Sequence, residues 1–171
     1  WISWTHKPLL NEEGELEGVL CIGNDITHYR QAEEEMRKLA AIVGQSDDGI
    51  VSKDLQGTIL SWNRGAMYMY GYTAQEAIGK NISLIVPPDY LDEVKGILQK
   101  LARGEKIVHF ETVRVRKDGA RINVSLSISP LYDEKGNIIG VSAITRDITD
   151  RKKNEKLLYE QYTFLQTLID N

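Results

Sequence analysis

The 171 residues include 21 Lys and Arg against 25 Asp and Glu, for a net charge of −4, and 42% are hydrophobic, enough for one globular core. Without a basic block there is no footprint for nucleic acid or an anionic membrane surface, and no apolar run reaches the roughly 18–20 residues that cross a bilayer. A single cysteine, Cys21, excludes an internal disulfide and any zinc site built from several thiolates, which fits a reducing, cytoplasmic setting with any membrane anchor outside this stretch.

The chain does not start with Met and lacks the basic start and apolar stretch of a signal peptide, so it reads as an internal piece of a longer protein. Its first predicted element is a hairpin, two strands around "NEEG" at Asn11–Gly14. The same pattern returns near the other end. Sliding the chain by 122 positions lays Trp1–Arg30 on Asn123–Lys152 without a gap, matching Pro8 with Pro130, Gly14 with Gly136, Gly18-Val19 with Gly140-Val141, and Asp25-Ile26-Thr27 with Asp147-Ile148-Thr149. The turns "DEKG" at Asp133–Gly136 and "DLQG" at Asp54–Gly57 have the same form, with Asn or Asp opening the turn and Gly available for a positive φ.

A helix is predicted after Thr27, where Tyr29, Ala32, Met36, Leu39 and Val43 recur at spacings of three and four. Thr27 and Thr149 stand where helix N-caps belong, with Asp25 and Asp147 adding negative charge near the positive helix end. Two strands then flank "DLQG". Turn signals at Gly65, Gly71, Gly79 and Pro87-Pro88 allow only short helices before a longer one around Asp89–Arg103, whose Leu91, Val94, Leu98 and Leu101 are expected in the core.

Three strands follow, over Lys106–Arg116, Arg121–Leu131 and Ile138–Ile148. In the second, Ile122, Val124, Leu126 and Ile128 share one face, and polar residues fill the other. The basic runs Arg114–Lys117 and Arg151–Lys153 read as solvated faces. A last helix after Thr149 repeats apolar residues at Leu158, Tyr162, Leu165 and Ile169. Each helical stripe is either an ordinary packing face or a parallel dimer seam. "IVGQ" before Ser46 matches "LIDN" at Leu168–Asn171 with a shift of 126, so the second linker reads as four residues longer, about one helical turn. Antiparallel strands with the helices gathered in one insertion make an α+β domain.

At this point the residues resemble the PAS domain, a sensory module of prokaryotic signalling proteins. The resemblance covers about Ala41–Thr149 and rests on Asp48-Gly49-Ile50 opening a strand, Trp62-Asn63 closing the next, Gly71-Tyr72-Thr73 ahead of Glu76, Gly79-Lys80, and the closing hairpins from Arg114 to Lys152. It implies a five-stranded antiparallel sheet with a helical cover and a pocket between them. It also implies a tandem array: residues 1–26 the C-terminal hairpin of a preceding PAS domain, 27–46 a connecting helix, 47–149 one complete domain, and 150–171 the connecting helix toward a following one.

A two-stranded hairpin is marginal alone in water, so Trp1–Ile26, with Trp1, Trp4, Ile22 and Ile26, is expected to pack on another chain's sheet or on a helix. The resemblance further implies a homodimer through the connecting helices and an output domain, a histidine kinase or next a diguanylate cyclase, outside this stretch.

No catalytic constellation emerges. "GYTAQEAIGK" has the wrong spacing for a phosphate loop, and His6, His28 and His109 lack ligand spacing, so no enzyme activity and no metal are expected here. The candidate ligand pocket comprises Trp62, Asn63, Met67, Tyr72, Asn81 and His109, with core packing as the alternative for the Met and aromatic members. His109 shares a strand face with Val113 and Val115, but Glu111 falls there too, which leaves a bulge or an outward face open. The cofactor stays unassigned: Cys21 lies outside the complete domain, against flavin photochemistry, and Asp89–Arg103 has no His for haem. Signal relay is assigned to Asp147, Ile148 and Thr149, with Asp25 and Thr27 as their counterparts. The competing reading is a ligand-free dimerisation and spacer module.

Overall fold

The computed structural model describes residues 1–169, which divide into two units, 1–42 and 43 onward. The matched "LIDN" segment ends at Asp170 and Asn171, outside the described residues, so the four-residue shift is seen only in part.

In the first unit β1 (Ile2–Leu10) and β2 (Leu16–Asp25) pair antiparallel from Ile2↔Asp25 to Leu9↔Gly18, with a bulge before Leu10. Asn11 builds the turn as its residue type requires: its Oδ1 accepts the amides of Glu13 and Glu15 at 3.0 and 2.8 Å. Trp4 lies over Gly23, where a Cβ would fall 3.0 Å from the indole ring. The hairpin's large apolar residues, Trp1, Ile2, Trp4, Val19 and Ile22 among them, are exposed, so the cover expected for it is absent among the described residues. Helix α1 (Thr27–Gln45) follows, with Tyr29, Met36, Leu39 and Ile42 exposed.

The second unit is the α+β domain expected. Strands β3 (Gly49–Lys53), β4 (Ile59–Trp62), β5 (Ile107–Val115), β6 (Arg121–Tyr132) and β7 (Ile138–Asp147) form one antiparallel sheet in the order β4-β3-β7-β6-β5. Helices α2 (Arg64–Tyr70) and α3 (Ala74–Ala77), two short 3-10 turns at Ile82–Ile85 and Pro88–Tyr90, and α4 (Leu91–Ala102) come between β4 and β5. The clean alternation of β6 puts Ile122, Val124, Leu126 and Ile128 into the core with Val51, Tyr70, Leu101 and Val141.

On α4 the buried stripe differs from the expected one. Ile97 and Leu101 are buried, Val94 and Leu98 are half-buried, and Leu91 is 41% exposed, because the first turn runs past the edge of the core. Both "DLQG" and "DEKG" fold as the Asn11 turn does, with Asp54 Oδ1 and Asp133 Oδ1 each accepting two amides. Gly65 has no alternative in α2, since a Cβ there would lie 2.3 Å from the Asp48 carbonyl oxygen.

Helix α5 (Thr149–Ile169) is continuous, as the linker reading requires. Its apolar residues Leu157, Leu158, Tyr162, Phe164 and Leu165 are exposed.

Candidate ligand cavity and exit junction

The six residues proposed for a ligand pocket do not meet around one, and Trp62, Asn63 and Asn81 each have a structural task. Trp62 is buried and donates its indole N–H to the Tyr72 carbonyl at 3.0 Å. Asn63 is a four-way knot: its Oδ1 accepts the amides of Ile50 and Ala66, and its Nδ2 donates to the carbonyls of Val43 and Asp48. It thereby caps α2, a reason for Asn at that position that needs no ligand.

Met67 and Tyr72 are half-buried against the core, and Tyr72 carries the Lys117 ammonium 5.6 Å above its ring. Asn81 caps a 3-10 turn and donates to the Gln56 carbonyl. His109 turns out of the sheet at φ 50, in a bulge between Ile107 and Phe110, and is exposed. The bulge resolves the conflict its strand face posed. With φ positive, the backbone bends and the following residues change sides.

That change of sides explains what the strand pattern concealed. In β5 the buried residues are Thr112 and Arg114, paired across from Val124 and Ile122 of β6, while Val113 and Val115 are half-buried. Arg114 is therefore not on a solvated face. Its guanidinium donates to Glu93 Oε1 of α4 at 3.0 Å and to the Val113 carbonyl at 2.7 Å. Thr112 donates to Glu93 Oε2 at 2.6 Å and accepts from Arg114 at 3.2 Å. A buried arginine is tolerable here because its fork is met by a carboxylate, a carbonyl and a hydroxyl.

Arg114 lines an interior cavity of about 30 Å³ between the sheet and the helices. Its apolar wall includes Val51, Ile82, Ile85, Ile97, Leu126 and Ile128, and its polar members are Lys53, Tyr70, Arg114 and Thr145. Lys53 is 5% exposed, and burial, with Arg114 beside it, pulls its ammonium down to about 8. Tyr70 is fully buried, and its hydroxyl makes no hydrogen bond of normal geometry. Burial pushes that phenol up to about 12, with Thr145 and Arg114 acting in the opposite direction. Strand alternation puts Lys53 on the same face as Val51, a signal that the sequence reading did not use. The signal for Arg114 was its register opposite Ile122 in a strand whose inner face was already clear.

At the exit junction, hydrogen bonds tie the candidate relay residues to strand β6. The Thr149 amide donates to Asp147 Oδ1 at 2.8 Å, the Ile148 amide donates to the Asn123 carbonyl at 2.9 Å, and the Asn123 amide donates to Thr149 Oγ1 at 3.0 Å. Thr149 is thus the first helical residue, and its hydroxyl serves strand β6 instead of capping its own helix. The aspartate does the capping. In the first unit Thr27 and Asp25 are used identically, the Trp1 nitrogen donating to Thr27 Oγ1 at 2.6 Å and the Thr27 amide to Asp25 Oδ1 at 2.9 Å. Sequence reasoning missed a further latch: Glu111 of β5 holds both Arg151 and Lys152 in the first turn of α5, the latter at 2.5 Å.

Among the described residues no group of three His, Cys, Asp or Glu is placed to hold a metal, and no helix is long and apolar enough to cross a membrane.

Comparison with known proteins gives one family. Residues 43–153 match the PAS fold. The chain is 34% identical over 125 residues, 71% of its length, to Two-component system protein A of Emericella nidulans, and 27% identical over 136 residues, 79% of its length, to the Signal transduction histidine-protein kinase AtoS of Escherichia coli. It spans only 18% and 22% of those two relatives. Among solved structures, the PAS domain of a protein from Colwellia psychrerythraea superposes with a TM-score of 0.62 at 30% identity, covering 68% of this chain and 98% of that one.

Proposed function

From the premise that the chain belongs to the PAS-fold family, whose matched members are sensors and kinases of signalling pathways, we propose that residues 47–149 bind a small ligand in the interior cavity and relay its presence through α5. The output domain, a histidine kinase by likeness to the relatives, lies outside this stretch. The observation that carries the reading is the economy of β7. Ala143 and Thr145 line the cavity, and only two residues later Asp147, Ile148 and Thr149 form the junction that starts the exit helix. A shift of β7 at the cavity therefore reaches the helix with no intervening loop, and β5, which carries Arg114 inward, also holds α5 through Glu111.

Residues 1–26 are proposed as the closing hairpin of a preceding PAS domain. Their pairing repeats that of β6 and β7 residue for residue: Ile2↔Asp25 becomes Val124↔Asp147 and Leu9↔Gly18 becomes Leu131↔Gly140, each followed by the same bulge. Residues 27–46 and 150–171 are proposed as connecting helices through which two copies dimerise in the cytoplasm. The uncovered Leu158, Tyr162 and Leu165 favour that, and also the second reading, a ligand-free dimerisation and spacer module.

The experiment that separates the two readings is to replace Asp147 and Thr149 by Ala in the full-length parent and measure its output with and without stimulus. A sensor loses or locks its response. Unchanged signalling rejects the relay and leaves the spacer.

A further inference from the structure

The polar groups around the interior cavity do not balance. Arg114 is neutralised by Glu93, whose second oxygen is held by Thr112. Lys53 has no such partner: among the described residues its ammonium makes no hydrogen bond and no ion pair, and the only charged group acting on it is the like-charged Arg114. The Tyr70 hydroxyl, fully buried on the same cavity, has the Thr145 side chain beside it but no hydrogen bond of normal geometry. One uncompensated positive charge and one hydroxyl without a normal hydrogen bond thus line a space that is otherwise apolar apart from Thr145 and the paired Arg114.

Water could satisfy the hydrogen bonds of both groups, but it cannot neutralise the charge, and an unpaired buried ion is costly. The single surplus charge selects a monoanion over a phosphate or a dicarboxylate. The walls at Ile82, Ile85, Ile97 and Leu126 suit hydrocarbon next to the charged head. The volume, about 30 Å³, corresponds to roughly two water-sized positions, so acetate is near the upper limit and propionate requires the side-chain walls to give way.

We propose that the cavity binds a short-chain monocarboxylate such as acetate or propionate, its carboxylate set against Lys53 and the Tyr70 hydroxyl and its methyl end against the isoleucines. This rests on the ligand-sensing reading and names its ligand class.

The test is thermal unfolding and isothermal titration calorimetry of the 171-residue chain with sodium propionate, sodium acetate, sodium chloride and 1-propanol, on wild type, Lys53→Met and Tyr70→Phe. Propionate should raise the wild-type Tm by about 8 °C at about a hundred times its dissociation constant. Chloride and propanol should give a small fraction of that. Lys53→Met should weaken propionate at least about tenfold, the loss of a charge-assisted contact, and Tyr70→Phe by a smaller factor. Lys53→Met should itself melt no lower than wild type, which separates loss of binding from loss of fold.

Equal responses to propionate and chloride, or undiminished binding by Lys53→Met, overturn the carboxylate site. If no anion binds but the purified protein retains a neutral molecule in native mass spectrometry, the ligand class is wrong and the sensing reading survives. If nothing binds and nothing is retained, both fall.

Discussion

The two joints at Asp25-Ile26-Thr27 and Asp147-Ile148-Thr149 share their hydrogen bonds and differ in what covers them. At each, an amide donates to the aspartate two residues back, the isoleucine amide donates to the carbonyl across the hairpin, and the threonine hydroxyl accepts from the same cross-strand residue, Trp1 or Asn123. Yet Ile148 is 6% exposed, while Ile26 is only half-buried. Leu126 and Val141 are buried where their counterparts Trp4 and Val19 stand more than half exposed. Local sequence is enough for register, turn and joint. Burial comes from β3, β5 and the helices, which flank only the second copy, and only that copy can connect the joint to an interior.

Substitution at the paired isoleucines is the strongest probe of this difference. Ile148→Ala removes buried methyl groups and should cost about 2–4 kcal/mol in urea unfolding, whereas Ile26→Ala should cost less than about 0.5 kcal/mol. Comparable losses would mean that the first hairpin is covered in solution, as it would be at the end of a preceding domain's sheet.

An interior can also hold displaced charge, which a bare hairpin cannot. Unfolded, Lys53 keeps its proton up to its usual 10.5; folded, it releases it near 8. Between those values the unfolded chain binds more protons, so the stability of the unliganded domain should climb as pH rises from about 8 toward 10, by up to about 3 kcal/mol in total. Tyr70 has the opposite sign: its folded phenol titrates near 12, so its contribution is intact below 10 and is lost above it. Urea titrations from pH 7 to 10 should show the climb in wild type and not in Lys53→Met. A flat wild-type profile would mean that Lys53 is solvated or already paired.

How far the sequence could be read follows the same division. The order of elements along the chain, the three Asx-opened turns and the place of both Asp-Ile-Thr joints were legible, because each depends on neighbours a few residues apart, whereas the pairing of β3 with β7 and the capping by aspartate instead of threonine were not. The cavity was not. Lys53 and Arg114 are polar residues on strands: the alternation of β3 carries Lys53 to the inner face beside Val51, while the His109 bulge, which reverses the faces of β5, and Glu93 arriving from α4 bring Arg114 inside. Conversely, Trp62, Asn63 and Asn81 looked like pocket residues because they are polar or aromatic at the start of, or within, the helical insertion. Their partners turn out to be main-chain groups of Tyr72, Val43, Asp48 and Gln56, fixed by tertiary folding.

A smaller effect tests the threonines. Thr149→Val leaves the Asn123 amide without its acceptor in a half-buried place and should cost about 1 kcal/mol, while Thr27→Val, at an exposed contact with Trp1, should cost a few tenths. Equal costs would show that the hydroxyl acts only locally, with no contribution from the covering sheet.

The finest contrast lies in Glu111. It has no counterpart in the first unit, which lacks a third strand, and the positions matching Arg151 and Lys152 are Tyr29 and Arg30. Lys152 first and Arg151 second hold the Glu111 carboxyl below its usual 4.5, so the latch is fully formed above that pH and is lost as pH falls through the lowered value. All three side chains are substantially exposed, so Glu111→Gln should leave the unfolding midpoint almost unchanged and the residual effect should fade with added salt. What should change is local: the protection factors of amides in the first turn of α5, taken against the intrinsic exchange rate at each pH, should fall in the variant, and in wild type as pH falls through the lowered Glu111 value, while the first turn of α1 responds to neither. If exchange at α5 is unaffected, β5 does not hold the exit helix, and the relay must run through β7 and Thr149 alone.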